Sequence, residues 1–364
     1  MQTSLVIHDN FKFPGGGERV AVTLARGFRA ELWSASVQSE NFPKSYFDGL
    51  EPKSLSLLDR IPFRVLPSDI LQDWLLFAHF PKKKAKLTFF SGFLSPLAHK
   101  RIIGPKILYC HSPPRILYDK RNFYLEQCSM LKKPIWLSLL FLYKKAYERA
   151  IKDMDCVLAN SQNVANRLRK YLNMQVQVVY PPCETKKFKH LGYGDYYLST
   201  GRLDQLKRVD LIVKAFLKMR DKKLVVVSGG PYFKRIKQMA NNADNITFLG
   251  WVGEKKLRSL IGNCIATIYI PMDEDFGISP VESMAAGKPV LGVKEGGILE
   301  TVVDGKTGIL LPPNPGIEDI IKGVKSLTPG LAAEMRSSCE ERAELFSIDC
   351  FVKRVKAIAG KFTN

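Results

Sequence analysis

Two glutamates eight positions apart, Glu274 and Glu282, frame the segment EDFGISPVE. It follows the apolar run CIATIYIPMD, which reads as a buried strand, and Pro280 suits the first turn of a helix because its missing N–H would be unpaired there anyway. Carboxylates accept hydrogen bonds from hydroxyls, and the backbone N–H groups of Phe276 and Gly277 are donors for a phosphate or a sugar oxygen. Upstream, STGRLDQLKRVDLIVKAF follows another apolar run and opens an amphipathic helix. Arg202 and Lys207 lie five apart there, a spacing that lets two cations serve one diphosphate. Cations at a helix start oppose its dipole and need an anion beside them. Near the N-terminus, FPGGGERV places Gly15, Gly16 and Gly17 before a helix starting near Glu18, where bare backbone amides approach a phosphate closely. Hydroxyl-binding carboxylates with two diphosphate-binding stretches fit a sugar nucleotide. The acidic triplet Asp273-Glu274-Asp275 would also suit a metal ion, but the basic pair makes one unnecessary, so no metal or other cofactor is expected.

These residues need rigid strand ends to hold them. Six short apolar runs, within TSLVIHD, AELWSAS, KLTFFSG, KILYCHS, CVLANS and QVQVVYPP, alternate with helical stretches in the first half. Another six, within YYLSTGR, KLVVVSGG, NITFLGWV, CIATIYIP, KPVLGVKEGG and TGILLPP, repeat the design in the second. Alternating strands and helices predict parallel sheets with helical crossovers, an α/β fold in which ligands sit beyond the C-terminal strand ends. A chain of 364 residues exceeds what one core usually organises. The stretch PPCETKKFKHLGYGD, rich in Pro, Gly and charge, separates the halves. The reading is a Rossmann-like domain over 1–180, a linker over 181–194, a second Rossmann-like domain over 195–346, and a terminal helix over 347–364 that returns towards the first domain.

Composition bounds the setting. The opening MQTSLVIHDN has no basic stretch and no cleavable apolar segment, and the seven scattered cysteines suit free thiols, so a cytosolic chain is expected. The formal charge of +20 is concentrated: sixteen Lys or Arg stand against three acids between Lys82 and Lys152. Within that stretch PIWLSLLFLY, about half of the ~20 residues a bilayer requires, is bracketed by Lys132-Lys133 and Lys144-Lys145. A solvated helix with one buried face would account for it. So would an interfacial segment, with Trp136, Leu139, Leu140 and Phe141 in lipid and the lysines on anionic headgroups. No zinc-finger, RRM or other nucleic-acid motif accompanies the charge, so a peripheral membrane surface is expected and nucleic acid is not.

The chain resembles the retaining glycosyltransferases of the fourth family, over nearly its whole length. EDFGISPVE matches the family's E-x7-E, followed by MAAGKPVLGVKEGGILETVVDGKTGILL; GGGE, Gly15 to Glu18, matches its N-terminal GGxE loop; and YCHSPPR looks like the H-[ST]-P-x-R segment of the mannosyltransferase-like branch. The resemblance implies the GT-B fold, two facing Rossmann-like domains with an interdomain cleft. It implies that Glu274 meets donor-sugar hydroxyls, that Glu282 meets the ribose, and that the amides of Phe276, Gly277 and Ile278 hold the sugar and distal phosphate. Arg202 and Lys207 match the diphosphate pair. By the same match His111 lies near the donor sugar and phosphate, and Arg115 serves acceptor or phosphate. The implied activity is transfer of a hexose, mannose from GDP-mannose as first choice, to a glycan or lipid-linked acceptor in surface polysaccharide or glycolipid synthesis. A nucleotide-sugar epimerase of the same fold, and a non-catalytic basic module binding membrane or nucleic acid, are the alternatives.

Overall fold

The computed structural model describes residues 3–56, 69–126, 130 and 133–363. The chain divides into two compact units, Met1–Pro182 together with Phe351–Asn364, and Cys183–Cys350.

The sheet of the first unit has seven parallel strands among the described residues: β1 (Leu5–Phe11), β2 (Glu31–Val37), β3 (Lys53–Ser54), β4 (Thr88–Ser91), β5 (Lys106–Cys110), β6 (Cys156–Ala159) and β7 (Gln177–Val178), in the order β3-β2-β1-β4-β5-β6-β7. Leu5, Val6, Ile7, Phe89, Phe90, Ile107 and Leu108 are buried, as continuous apolar runs must be when helices cover both faces. The order reverses between β1 and β4, and a crevice at the C-terminal strand ends is expected at such a reversal. Helix α1 (Gly16–Phe28) leaves β1, α2 spans Lys133–Lys152, and α3 (Gln162–Leu172) follows β6. The apolar stripe of the terminal helix, Phe351, Val355 and Ile358, lies in the first unit's core, with Phe351 edge-on to Tyr109 at 5.7 Å between centroids.

The second unit has a six-stranded parallel sheet: β8 (Tyr196–Ser199), β9 (Lys223–Val227), β10 (Ile246–Gly250), β11 (Thr267–Ile268), β12 (Val290–Val293) and β13 (Gly308–Leu311), in the order β10-β9-β8-β11-β12-β13. Its reversal falls between β8 and β11. Helix α4 (Val209–Leu217) follows β8, and α5 (Ile278–Ala285) follows β11.

Each of the twelve apolar runs contains a strand. β3 and a separate two-stranded pair, Lys83–Lys84 with Ile102–Ile103, have no counterpart among those runs, because two-residue ladders rest on backbone pairing alone. The run PIWLSLLFLY is part of α2, whose buried stripe is Leu140, Tyr143, Tyr147, Ala150 and Ile151. Leu140 therefore belongs to the core and cannot enter lipid, which corrects that part of the interfacial reading. Ile135, Leu137, Phe141 and Leu142 are the exposed large apolar residues of α2, which also carries Lys144 and Lys145. Lys132 lies outside the described residues. No helix among the described residues is long and apolar enough to cross a membrane. The six described cysteines are free thiols, and Cys128 lies outside the described residues.

Candidate functional site

Three strand ends of the second unit converge around Lys207 and Glu274. After β8 the chain turns before any helix begins: Asp204 Oδ1 accepts hydrogen bonds from the amides of Leu206 and Lys207 at 3.0 and 3.2 Å, closing a 3-10 turn over Gln205–Lys207. Arg208 follows with left-handed backbone, and α4 starts only at Val209. The amphipathic helix expected in this stretch is thus preceded by a capped turn, in which the Asp204 carboxylate satisfies two amides. That turn is tied to the loop after β11 by the Met272 amide, which donates to the Leu206 carbonyl at 2.7 Å.

The tie brings Lys207 onto Glu274. The Lys207 ammonium donates to the Glu274 carboxylate and, at 3.0 Å, to the Tyr269 hydroxyl. Tyr269 in turn donates to Glu274 Oε2 at 2.8 Å, closing a triangle. Burial disfavours both charges. For Lys207 the neighbouring Tyr269 and Glu274 outweigh it and hold the ammonium well above the usual lysine range. For Glu274 burial is likewise outweighed, by Lys207 first and then the Tyr269 hydroxyl, and its carboxyl sits below the usual range. Both groups are charged at neutral pH.

A second cluster supports the first from behind. Glu295, beyond β12, accepts from Arg208 at 2.9 Å, from the Asn314 amide at 2.6 Å and from the Asp273 amide at 3.2 Å. The Gly297 amide donates to the Glu274 carbonyl at 2.8 Å. Gly277 caps α5 at φ 89°, where a Cβ would lie 2.7 Å from Ile298, so a side chain there would be strained twice over. Phe276, Gly277 and Ile278 form the entry to α5, and Glu282 is buried one turn further in. Arg202 stands apart from this triangle. Its side chain is 63% exposed, with Nε 3.7 Å from Asp204.

In the first unit the structure brings Gly17 and His111 together. Gly15 is the extended N-cap of α1, and Gly16 and Gly17 open its first turn. A Cβ on Gly17 would lie 3.6 Å from both His111 Nε2 and His8 Cε1. His111, just past β5, is bonded through Nε2 to Ser91 Oγ at 2.9 Å, and His8 on β1 reaches the carbonyl oxygen of Ser91 at 2.8 Å. Burial pushes both imidazoles down, His8 to about 4 and His111 to about 3, the latter also through proximity to His8. Arg115 pairs with Asp119 at 2.6 Å on a short 3-10 turn.

His8, Ser91, Tyr269, Arg208, Glu295 and Asn314 escaped sequence reading. His8 lies within β1, Ser91 ends β4, Tyr269 directly follows β11, and Arg208, Glu295 and Asn314 lie on the segments after β8, β12 and β13, places shared by many inert residues.

Two family models match adjoining stretches: glycosyltransferase family 4 over residues 14–187 and glycosyl transferases group 1 over 184–346. The chain is similar to the alpha-1,3/1,6-mannosyltransferase ALG2 of Homo sapiens, with 26% identity over 291 residues, covering 68% of this chain and 66% of that protein. The same-named protein of Dictyostelium discoideum is 27% identical over 314 residues, 72% of each chain. Among solved structures, Anabaena HepE in complex with UDP-glucose superposes with a TM-score of 0.70 at 17% identity, over 98% of this chain and 99% of that one. WaaG, a glycosyltransferase involved in lipopolysaccharide biosynthesis, gives 0.70 at 13% identity over 98% and 99%.

Proposed function

From the membership of this chain in the family 4 glycosyltransferases of GT-B fold, we propose that it is a retaining mannosyltransferase that moves mannose from GDP-mannose to a lipid-linked glycan. The observation that carries the donor half is the Lys207–Glu274–Tyr269 triangle at the reversal of the second sheet. Mannose is supported by the names of the mannosyltransferase relatives and by the CHSPPR segment, and the lipid-linked acceptor by the apolar and basic surface of α2.

The acceptor hydroxyl attacks the anomeric carbon from the face the diphosphate leaves. The bond from that carbon to the phosphate oxygen breaks as the new glycosidic bond forms, and the hydroxyl proton passes to the departing phosphate oxygen. No protein nucleophile is required. Lys207, with Arg202, stabilises the charge developing on the diphosphate, and Glu274 orients the sugar hydroxyls. The amides of Phe276, Gly277 and Ile278 hold the distal phosphate, and Glu282 the ribose. Gly15, Gly16, Gly17 and His111 are assigned to the phosphate side of the donor, and Arg115 to acceptor or phosphate. A metal is not needed where a fixed ammonium already meets the phosphate.

Peripheral attachment to an anionic membrane through α2 is part of the same proposal. Its support is that exposed Ile135, Leu137, Phe141 and Leu142 share this helix with Lys133, Lys144 and Lys145, a surface both apolar and basic.

Melting the protein against a panel of nucleotide sugars tests the donor, since a ligand at about 100 times its dissociation constant adds ~2.7 kcal/mol. GDP-mannose should stabilise most, and turnover should require acceptor. Stabilisation by a uridine sugar alone would overturn the choice of donor, and turnover without acceptor would favour an epimerase.

A further inference from the structure

We propose that Ser91, with His8 behind it, is a positioning residue that fixes His111 in the tautomer carrying its proton on Nδ1, so that His111 presents a neutral N–H to its ligand. The proposal rests on the reading above in giving His111 a donor substrate to face.

The direction of the chain of hydrogen bonds follows from one carbonyl. His8 Nδ1 lies 2.8 Å from the Ser91 carbonyl oxygen, which can only accept, so His8 carries its proton on Nδ1. The same N–H is 3.2 Å from Ser91 Oγ, which therefore faces a donor on that side. The Ser91 hydroxyl cannot give its proton to His8 and turns it to His111 Nε2, 2.9 Å away. A neutral imidazole that accepts at Nε2 holds its proton on Nδ1. Both rings are neutral at neutral pH, because burial disfavours the imidazolium. His111 Nδ1 has no hydrogen-bond partner among the described residues and is left to serve a ligand.

Ser91 is itself held to a narrow position. Asp9 accepts three amides of the segment after β4, from Phe93 at 2.8 Å, Leu94 at 3.0 Å and Ser95 at 2.7 Å. Gly92 makes this possible: at φ 134° a Cβ would lie 2.2 Å from the Asp9 carboxylate. The His111 ring is bounded on another side by Tyr109, edge-on at 5.2 Å between centroids. A neutral N–H held this way lends a hydrogen bond to a sugar hydroxyl or phosphate oxygen without adding a charge that would have to be shed again.

The test uses the full chain with its five histidines labelled with nitrogen-15, His111→Gln supplying the assignment. In the wild type the His111 signals should show a protonated Nδ1 and a bare Nε2. In Ser91→Ala the two tautomers should mix. Turnover with GDP-mannose and a lipid-linked mannosyl acceptor should then fall about 10- to 100-fold, while KM for GDP-mannose moves less than about threefold, as expected when a group is misaligned rather than removed. Ser91→Thr keeps the hydroxyl and should recover most of the turnover and the single tautomer. A wild-type proton on Nε2 would overturn the proposal, as would a Ser91→Ala protein whose spectrum or turnover is unchanged. Full turnover by His111→Ala would instead remove the donor-facing role of His111 while leaving the spectrum as it is, which separates failure of the functional reading from failure of the relay.

Discussion

Lys207→Ala is the substitution whose consequences the structure specifies most fully, because it acts on two measurable quantities by different routes. The side chains of Lys207 and Glu274 are 22% and 16% exposed, so the pair is shielded from water without being sealed from it. Removing the ammonium leaves Glu274 with the Tyr269 hydroxyl but without its cation. Losing one partner of a fully buried pair costs about 3–5 kcal/mol, and a partly exposed one less, so a destabilisation of about 2 kcal/mol is expected. Its pH dependence has a definite sign. The folded-state pKa of Glu274 is depressed, so the pair's contribution is present above the ordinary glutamate value and is lost as pH falls through the depressed one. The wild-type and Lys207→Ala stability curves should accordingly converge in acid and separate towards neutrality.

Catalysis should suffer independently. Deleting one preorganised electrostatic group typically costs about 10²–10³ in kcat, or ~2.7–4 kcal/mol of transition-state stabilisation. Arg202, exposed and only loosely associated with Asp204, should cost less, about tenfold when replaced by Ala. GDP release measured with saturating GDP-mannose and acceptor, alongside urea melts, separates the two effects. The double variant Lys207→Ala, Glu274→Gln supplies the decisive comparison. It removes the stranded carboxylate, so it should regain stability relative to Lys207→Ala while remaining at least as slow. A Lys207→Ala enzyme that is destabilised but turns over within about threefold of wild type would show a purely structural ion pair, and the diphosphate assignment would fall.

Turnover should survive EDTA; complete loss restored by manganese would revive metal binding at Asp273–Asp275. Changing Lys133, Lys144 and Lys145 to Glu should release the protein from anionic liposomes in a sedimentation assay while sparing GDP-mannose binding, since each lysine contributes ~1 kcal/mol at such a surface. Binding that is insensitive both to this change and to raising salt above about 0.15 M would leave the basic face a solubilising surface only. Burial, with the Asp9 charge adding to it, pushes Glu18 up to about 7, so its contribution to stability declines as pH rises from its ordinary value of 4.5 towards 7. Glu18→Gln should therefore melt higher than wild type at pH 8, by up to about 3 kcal/mol, with no difference near pH 4; equal melting at both pH values would contradict the burial. Phe351→Ala should cost about 3–5 kcal/mol in urea melts, because its ring is buried against Tyr109 in the first unit's core; a loss below about 1 kcal/mol would mean that the terminal helix is not part of that core.

The legible part of this protein is the part written in contiguous residues. Buried parallel strands read as apolar runs because both their faces are covered, and glycines and charges punctuate their ends, so the two α/β halves could be read from the chain alone. Glu274, Gly277 and Glu282 lie within nine consecutive residues, and local spacing exposed them. What spacing could not show is which distant groups complete them. Lys207 was visible as a cation near a turn. Its pairing with a carboxylate 67 positions away depends on β8 and β11 being neighbours in the sheet, which follows from strand order and not from sequence order. Tyr269 lies inside an apolar run and reads as core until its hydroxyl is seen to bridge the pair. His8 and Ser91 are obscured in the same way, as polar residues within β1 and at the end of β4 that acquire meaning only because those strands pair.

The position of the helix after β8 shows how one local residue redirects such a reading. Amphipathic spacing alone would open a helix within this stretch and set Arg202 and Lys207 together near its start, facing one diphosphate. Asp204 instead captures the amides of Leu206 and Lys207, and left-handed Arg208 separates that turn from α4. Lys207 is thereby lifted off the helix onto a rigid turn, and Arg202 is left on the approach to it. The two cations are consequently unequal. One is fixed against Glu274 before any ligand arrives, at a cost in desolvation that its partners offset; the other keeps its hydration and its freedom. A preorganised charge stabilises a transition state without reorganising at the moment of reaction, whereas a mobile one acts mainly in capture. The chemistry is therefore assigned chiefly to Lys207, with Arg202 assisting, and this is why the two alanine variants should differ in the size of their defect.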